Sequence, residues 1–419
     1  MKKLFPDLMI HYLRNNMIQN TSMLYLLSAA KILFPFLTFP YLTRVLSIDG
    51  YALISYVKAV MTYMQLWVDF GFLLSATKNI VRAENDSKLI NQIVSDTMFA
   101  RVLLGVFGGL ILAVLSAAIP LLRQNLIFVW LSYGAVFLSC FMTDFLFRGL
   151  EKMHEITIRF VVMKGISTVL TFVFVHSDTH LLYIPVLDIL SSAVALILIH
   201  FQLRKYNVSL IIPSLKRSWG YLKESAEYFA SSVATTAFNT LNTLLIGIFL
   251  PEADIAVWAV SIQLISAIQI FYGPIIDGIY PEMMRYKKLS LIKKLLFIFM
   301  PIVLMGCIIC YFAAPFIIHL VAGNKYTAAI PIFRLMIPVL LFAFPAMMCG
   351  WPALGAINKI RQTTASSIIA ACTQCIGVGL LIVGGIFTLP SIAIVRNITE
   401  SVLFGTRASF VYKYRKNFK

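Results

Sequence analysis

Stretches of about twenty mainly apolar residues recur from one end of this 419-residue chain to the other, and a helix of that length spans the hydrocarbon layer of a bilayer. Sixty per cent of the residues are hydrophobic, above the share of roughly half found in soluble globules. The expected fold is an all-α membrane protein. Twelve spans are predicted, at 20–46, 50–77, 93–122, 124–147, 157–177, 180–203, 225–249, 254–279, 295–321, 328–354, 364–387 and 389–412. Ahead of them, within residues 1–19, Leu4, Phe5, Leu8, Met9, Tyr12 and Leu13 share one helical stripe, with Lys2, Lys3, His11 and Arg14 elsewhere. That is the pattern of a helix lying in the membrane interface. The charged start interrupts any signal-peptide core, so the first span is expected to act as an uncleaved anchor.

The net charge of +17 is explained by topology rather than by nucleic acid, which is not expected as a partner. Alternate connections carry 25 Lys and Arg on one side and 2, Arg123 and Lys325, on the other. Basic residues stay cytoplasmic, so both termini, including the basic tail 413–419, are expected there. The cysteines Cys140, Cys307, Cys310, Cys349, Cys372 and Cys375 all fall in predicted spans and are read as small hydrophobes rather than as metal ligands or disulfides. No metal and no cofactor are expected.

The longest connection, 204–224, mixes basic residues with Leu210, Ile211, Ile212, Leu215, Trp219 and Tyr221. It divides the spans into an amino-terminal bundle, 20–203, and a carboxy-terminal bundle, 225–412. The halves echo one another. Leu46-Ser47-Ile48-Asp49-Gly50-Tyr51-Ala52 corresponds to Leu250-Pro251-Glu252-Ala253-Asp254-Ile255-Ala256, and Phe147-Arg148-Gly149-Leu150-Glu151-Lys152 to Leu354-Gly355-Ala356-Ile357-Asn358-Lys359. Six spans per half give repeats of the same orientation, two six-helix bundles around a central cavity. Pro35, Pro40, Pro274, Pro338, Pro345 and Pro352 each remove a backbone hydrogen bond and mark expected bends.

Eight cations are singled out inside the predicted spans: Lys31, Arg44, Lys58, Arg101, Lys164, Arg334, Arg396 and Arg407. A cation at mid-bilayer costs about 2.5–3.5 kcal/mol on the mildest insertion scale, so such residues face a wet cavity or a counter-charge. Asp69, Asp144, Asp188, Asp277 and Glu400 are the acidic residues at comparable depth, which leaves positive charge over and points to an anionic cargo. Arg396 with Glu400, and Asp144 with Arg148, are spaced for i,i+4 pairing. Asp69, Asp188 and Asp277 are either coupling-proton sites or partners for nearby cations. Tyr51, Tyr63, Trp67, Trp130 and Tyr133 are candidates for sugar contact, with interface anchoring and core packing as the alternatives.

The segment Phe39-Pro40-Tyr41-Leu42-Thr43-Arg44-Val45-Leu46-Ser47 with Gly50-Tyr51, and Asp69-Phe70-Gly71-Phe72 with Ser75-Ala76-Thr77, resemble the signatures of bacterial Wzx-type polysaccharide flippases of the multidrug/oligosaccharidyl-lipid/polysaccharide exporter superfamily. The resemblance implies no enzyme. It implies a flippase that carries an undecaprenyl-pyrophosphate-linked oligosaccharide repeat unit across the bacterial inner membrane by alternating access, for O-antigen or capsule. Arg grips a pyrophosphate in bidentate fashion and Lys as a point charge. The implied partners are that lipid-linked oligosaccharide, membrane lipids and the glycan polymerase and chain-length machinery, with a monomer as the simplest assembly. In related flippases, basic residues on the first, second and eighth helices are implicated in holding the pyrophosphate. Lys31 and Lys58 match the first two, whereas the eighth span here contains Asp277 and no cation. Arg44, Arg101, Lys164 and Arg334 complete the translocation candidates. The alternatives are a cation-coupled multidrug exporter using Asp69 or Asp277, and a non-transporting scaffold of a glycan assembly complex.

Overall fold

The computed structural model describes residues 4–84 and 86–418, apart from the side chains of 4–18, 21, 231, 234, 235, 237–239, 277 and 281. Its helices are α1 (Leu4–Val45), α2 (Ile48–Asp69), α3 (Phe72–Arg82), α4 (Ser87–Ala118), α5 (Pro120–Gln124), α6 (Leu126–Leu138), α7 (Asp144–Gly149), α8 (Met153–Phe174) and α9 (Tyr183–Lys205). There follow α10 (Leu215–Phe249), α11 (Glu252–Gln269), α12 (Tyr272–Tyr286), α13 (Leu289–Val321), α14 (Ala329–Met336), α15 (Pro338–Met348), α16 (Ile360–Val383) and α17 (Leu389–Lys413).

Among the described residues ten helical segments are long and apolar enough to cross a membrane. The two other expected spans are α10, whose apolar stretch is only Thr240–Phe249, and α17, 25 residues long but diluted by Arg396, Glu400 and Arg407. At the amino terminus the expected interfacial helix is not separate, because α1 runs without interruption from Leu4 to Val45. Its amphipathic side chains lie outside the described residues.

Two compact units emerge, one of Met1–Val45 with Val60–Ser232 and one of Leu46–Ala59 with Val233–Lys419. The connection expected at 204–224 is non-helical only from Tyr206 to Ser214, and α10 begins at Leu215. This stretch belongs to the first unit because α4 holds it: the buried Asp96 carboxylate accepts from Ser214 N at 2.7 Å and Arg217 Nε at 2.6 Å. Asp86 caps the start of α4, accepting from Lys88 N and Leu89 N.

The sequence echo has a backbone counterpart. Glu151 (φ 57°) and Asn358 (φ 60°) both adopt left-handed conformations. Beside them, Lys152 N donates to Phe147 O at 2.7 Å and Lys359 N to Leu354 O at 2.8 Å, the same six-residue closure of a helix end in each half. Likewise α2 and α11 each start two residues after the matching Leu46 and Leu250.

The second and fourth spans of both halves are broken, and proline accounts for only part of this. Pro338 opens α15, and Pro352 lies in a wide helical turn, Cys349–Gly355, where Gly350 leaves helical geometry. In contrast α1 continues through Pro35 and Pro40, and the break between α11 and α12 precedes Pro274. The break between α2 and α3 contains no proline: Phe70 (φ 39°) and Gly71 (φ 77°) are both left-handed. Gly71 is required there, since a Cβ would sit 2.6 Å from Tyr228 Cβ and 2.9 Å from Ser225 O and Phe229 N.

Candidate functional site

In the first unit the break at Phe70–Gly71 leaves Asp69 at the carboxy-terminal end of α2, facing Arg101 on α4. Arg101 Nη2 donates to Asp69 Oδ1 at 2.7 Å, and its Nη1 donates to the Met142 carbonyl. Arg101 is buried while Asp69 keeps a partly open face. The two line a cavity of about 120 Å³ together with Gln65, Ser139 and Asp144; Gln65 Nε2 donates to Ser139 Oγ at 3.0 Å.

Asp144 does not pair with Arg148 as its i,i+4 spacing predicts; its carboxylate accepts from Arg159. Arg159, at the cytoplasmic end of the fifth predicted span, is tallied with the cytoplasmic cations, yet it lies on α8 with its side chain only 3% exposed. A buried guanidinium needs a counter-charge far more than a half-buried one that reaches water or head groups. Arg159 Nη1 also donates to Gln202 Oε1 at 2.8 Å, and Gln202 Nε2 donates to Glu155 Oε2 at 2.9 Å. Glu155 in turn accepts from Lys205 Nζ at 2.7 Å and Tyr206 OH at 3.0 Å. The result is one polar network joining α7, α8 and α9, with Glu155, Arg159 and Gln202 unmarked by any sequence motif.

Lys31 is exposed on α1, its ammonium 5.7 Å from the centre of the Phe160 ring on α8. One turn further along α8, Lys164 Nζ meets Asp188 Oδ1 at 3.2 Å, and Ser167 Oγ donates to the same oxygen at 2.9 Å. Among the described residues no carboxylate bridges Lys31. Asp188 is thus a partner of Lys164 and Ser167. Arg44 is exposed at the end of α1. Lys58, also exposed, belongs to the second unit, whereas Lys31 belongs to the first.

The second unit holds its cations differently. Arg396 and Glu400, both buried, form the expected i,i+4 contact, Nη2 to Oε2 at 3.5 Å. Arg407 donates to Ser366 Oγ, Ser367 Oγ and the Ala346 carbonyl at 2.9–3.2 Å. Arg334 donates to Tyr311 O at 3.0 Å and stacks over that ring. The side chain of Asp277 lies outside the described residues. Of the aromatic candidates, Tyr133 donates to the Gly105 carbonyl, Trp67 Nε1 donates to Leu104 O at 3.0 Å, and Tyr51 packs edge-on against Tyr326. These three are packed within the protein; Trp130 is exposed.

A model of the family described as polysaccharide biosynthesis protein matches residues 17–287. The chain belongs to this family. It is 26% identical over 315 residues to a putative O-antigen transporter of Shigella dysenteriae, covering 74% of this chain and 78% of that one. A putative O-antigen transporter of Escherichia coli K12 is 24% identical over 331 residues, covering 77% and 79%. Its fold matches an inward-facing multidrug-resistance MATE-family transporter of the MOP superfamily with a TM-score of 0.64 at 14% identity, over 92% of this chain and 99% of the other. This family member is therefore a multi-pass, all-helical membrane protein with a two-lobed, MATE-like fold, akin to transporters rather than enzymes.

At the end of α3, Lys78 Nζ meets Glu224 Oε1 at 3.0 Å and Asn79 Nδ2 donates to Glu224 Oε2 at 2.9 Å. Partial burial raises the pKa of the Glu224 carboxyl, but the bonds from Asn79 and Lys78 outweigh it and hold the group below its ordinary value. A depressed folded-state pKa adds stability above the unfolded value that is lost as pH falls through the folded one. Glu224→Gln is expected to cost at most about 1 kcal/mol at pH 7, because both groups are partly solvated, and nothing once the pH lies below the folded pKa. Melting curves of the two proteins at neutral and acid pH test this; equal Tm values at pH 7 would show that the pair contributes nothing.

Proposed function

We propose that this family member is a flippase that moves an undecaprenyl-pyrophosphate-linked O-antigen repeat unit from the cytoplasmic to the periplasmic leaflet of the bacterial inner membrane by alternating access, with both termini in the cytoplasm. The observation that carries this reading is the uneven neutralisation of membrane-embedded charge. Asp69, Asp144, Asp188 and Glu400 each sit against a cation. Lys31 has no bridging carboxylate among the described residues, and Arg334 hydrogen-bonds to a neutral backbone carbonyl. Retained cations without acids fit a phosphate-bearing cargo. Paired acids fit poorly with a pump for organic cations. The names of the two relatives agree with the choice of cargo.

Lys31 is assigned the leading contact to the pyrophosphate, with Arg44 and Lys58 as further contacts. In this reading the pairings of Arg101 and Lys164 make those residues part of the scaffold that shapes the passage. Deleting the protein is expected to trap lipid-pyrophosphate-linked repeat units on the cytoplasmic leaflet and to abolish surface glycan. Restoring Lys31→Ala should return roughly a tenth of the wild-type export, the weight of one charge-assisted contact, at unchanged protein abundance. Full export by Lys31→Glu, or efflux of cationic dyes that depends on Asp69, would overturn the assignment.

A further inference from the structure

Within the first unit, a groove of about 910 Å³ runs between α4 and the amino-terminal turns of α10. Buried Leu104 and half-buried Trp67, Phe70, Leu103 and Leu222 line it together with the exposed Phe107. Along one margin stand Lys216 and Lys223, two helical turns apart, and Trp219 between them. The neighbouring cations Lys78 and Arg217 are occupied by Glu224 and Asp96, but among the described residues no carboxylate bridges Lys216 or Lys223. Ile212, just before this helix, is 91% exposed and Trp219, in its first turns, 60%, which water does not tolerate well and a head-group region does.

We propose that this groove is a binding site for an anionic phospholipid, its acyl chains lying along α4 and its phosphate held by Lys216 and Lys223. The charge is complementary: an apolar trough flanked by two cations that no carboxylate bridges among the described residues matches an apolar tail with an anionic head. Tryptophan at the same level is the expected anchor at that depth. The helix carrying both lysines is fixed, since Asp96 is fully buried and holds Arg217 and Ser214 N, while Ser95 Oγ accepts from Ile211 N at 2.9 Å. Every lining residue belongs to the first unit, so the groove is complete without the second. That favours a resident membrane lipid over a cargo that must be taken up and released.

Native mass spectrometry of the full chain with added phosphatidylglycerol or phosphatidylcholine tests the site. Phosphatidylglycerol is expected to bind in preference, and Lys216→Gln with Lys223→Gln to weaken it about thirtyfold while leaving phosphatidylcholine unchanged. Ala226→Trp, which fills the trough and keeps both lysines, should weaken both lipids. A phosphatidylglycerol with a photoreactive tail should label α4 near Phe107 and α10 near Leu222. Equal binding of the two lipids, or labelling elsewhere, would overturn the proposal. So would displacement of phosphatidylglycerol from the groove by an equimolar polyprenyl pyrophosphate, which would make it a cargo site.

Discussion

Asp144→Ala is expected to destabilise the protein by up to about 3–5 kcal/mol, the cost of leaving a buried charge without its partner. The carboxylate it removes is itself 41% exposed, whereas the guanidinium left behind is 3% exposed with Gln202 as its remaining neutral partner. The loss therefore falls on Arg159, and through Gln202 it reaches Glu155 and Lys205. Arg159→Met in the Asp144→Ala background should recover much of the loss, because a flexible apolar side chain of similar length needs no counter-charge. Melting temperatures of the single and double variants in one detergent close the cycle. If Asp144→Ala melts with the wild type, Arg159 is neutralised by something other than this pair.

Gly71→Ala is expected to cost about 1–2 kcal/mol from its left-handed backbone alone, and a further 1–3 kcal/mol from overpacking. The second contribution is hard to relieve, because two of the three colliding atoms, Ser225 O and Phe229 N, are backbone atoms of α10. Moving α10 there strains the stacked Phe70 and Phe229 rings, 4.3 Å between centroids, and the contact between Ser75 Oγ and Ser225 Oγ. Gly306→Ala is the matched control: it lies in the interior of α13, and a Cβ there meets nothing within 4 Å. That variant should gain roughly 0.5–1 kcal/mol. Similar folded yields for the two alanine variants would remove the steric account of the Asp69-Phe70-Gly71-Phe72 motif.

The motif shows how sequence and structure divide the account. Its resemblance to polysaccharide flippases marks the segment, and the geometry supplies the reason: Phe70 and Gly71 end one helix so that Asp69 meets Arg101, and Gly71 lets α10 approach. Arg396 with Glu400 was readable because partners four residues apart on one helix need no knowledge of the fold. The true partner of Asp144 was not, since Arg159 comes from the next helix after a turn set by Glu151 in a left-handed conformation. A spacing rule offers Arg148 for Asp144, and only burial decides that Arg159 has the stronger claim.

By itself, the order of residues determined an all-helical, membrane-crossing chain with an internal repeat, because hydropathy is local and the period of a helix is fixed by backbone hydrogen bonding. It also determined that cations lie within the apolar segments. The tertiary structure alone decided which of those cations an acid neutralises, which helix carries the connection after α9, and where the spans break. Each of these depends on groups distant in sequence, such as Asp96 holding Arg217 or Asp188 holding Lys164. Such contacts are selected by packing and by the cost of a buried charge without a partner, and neither is written in any short run of residues.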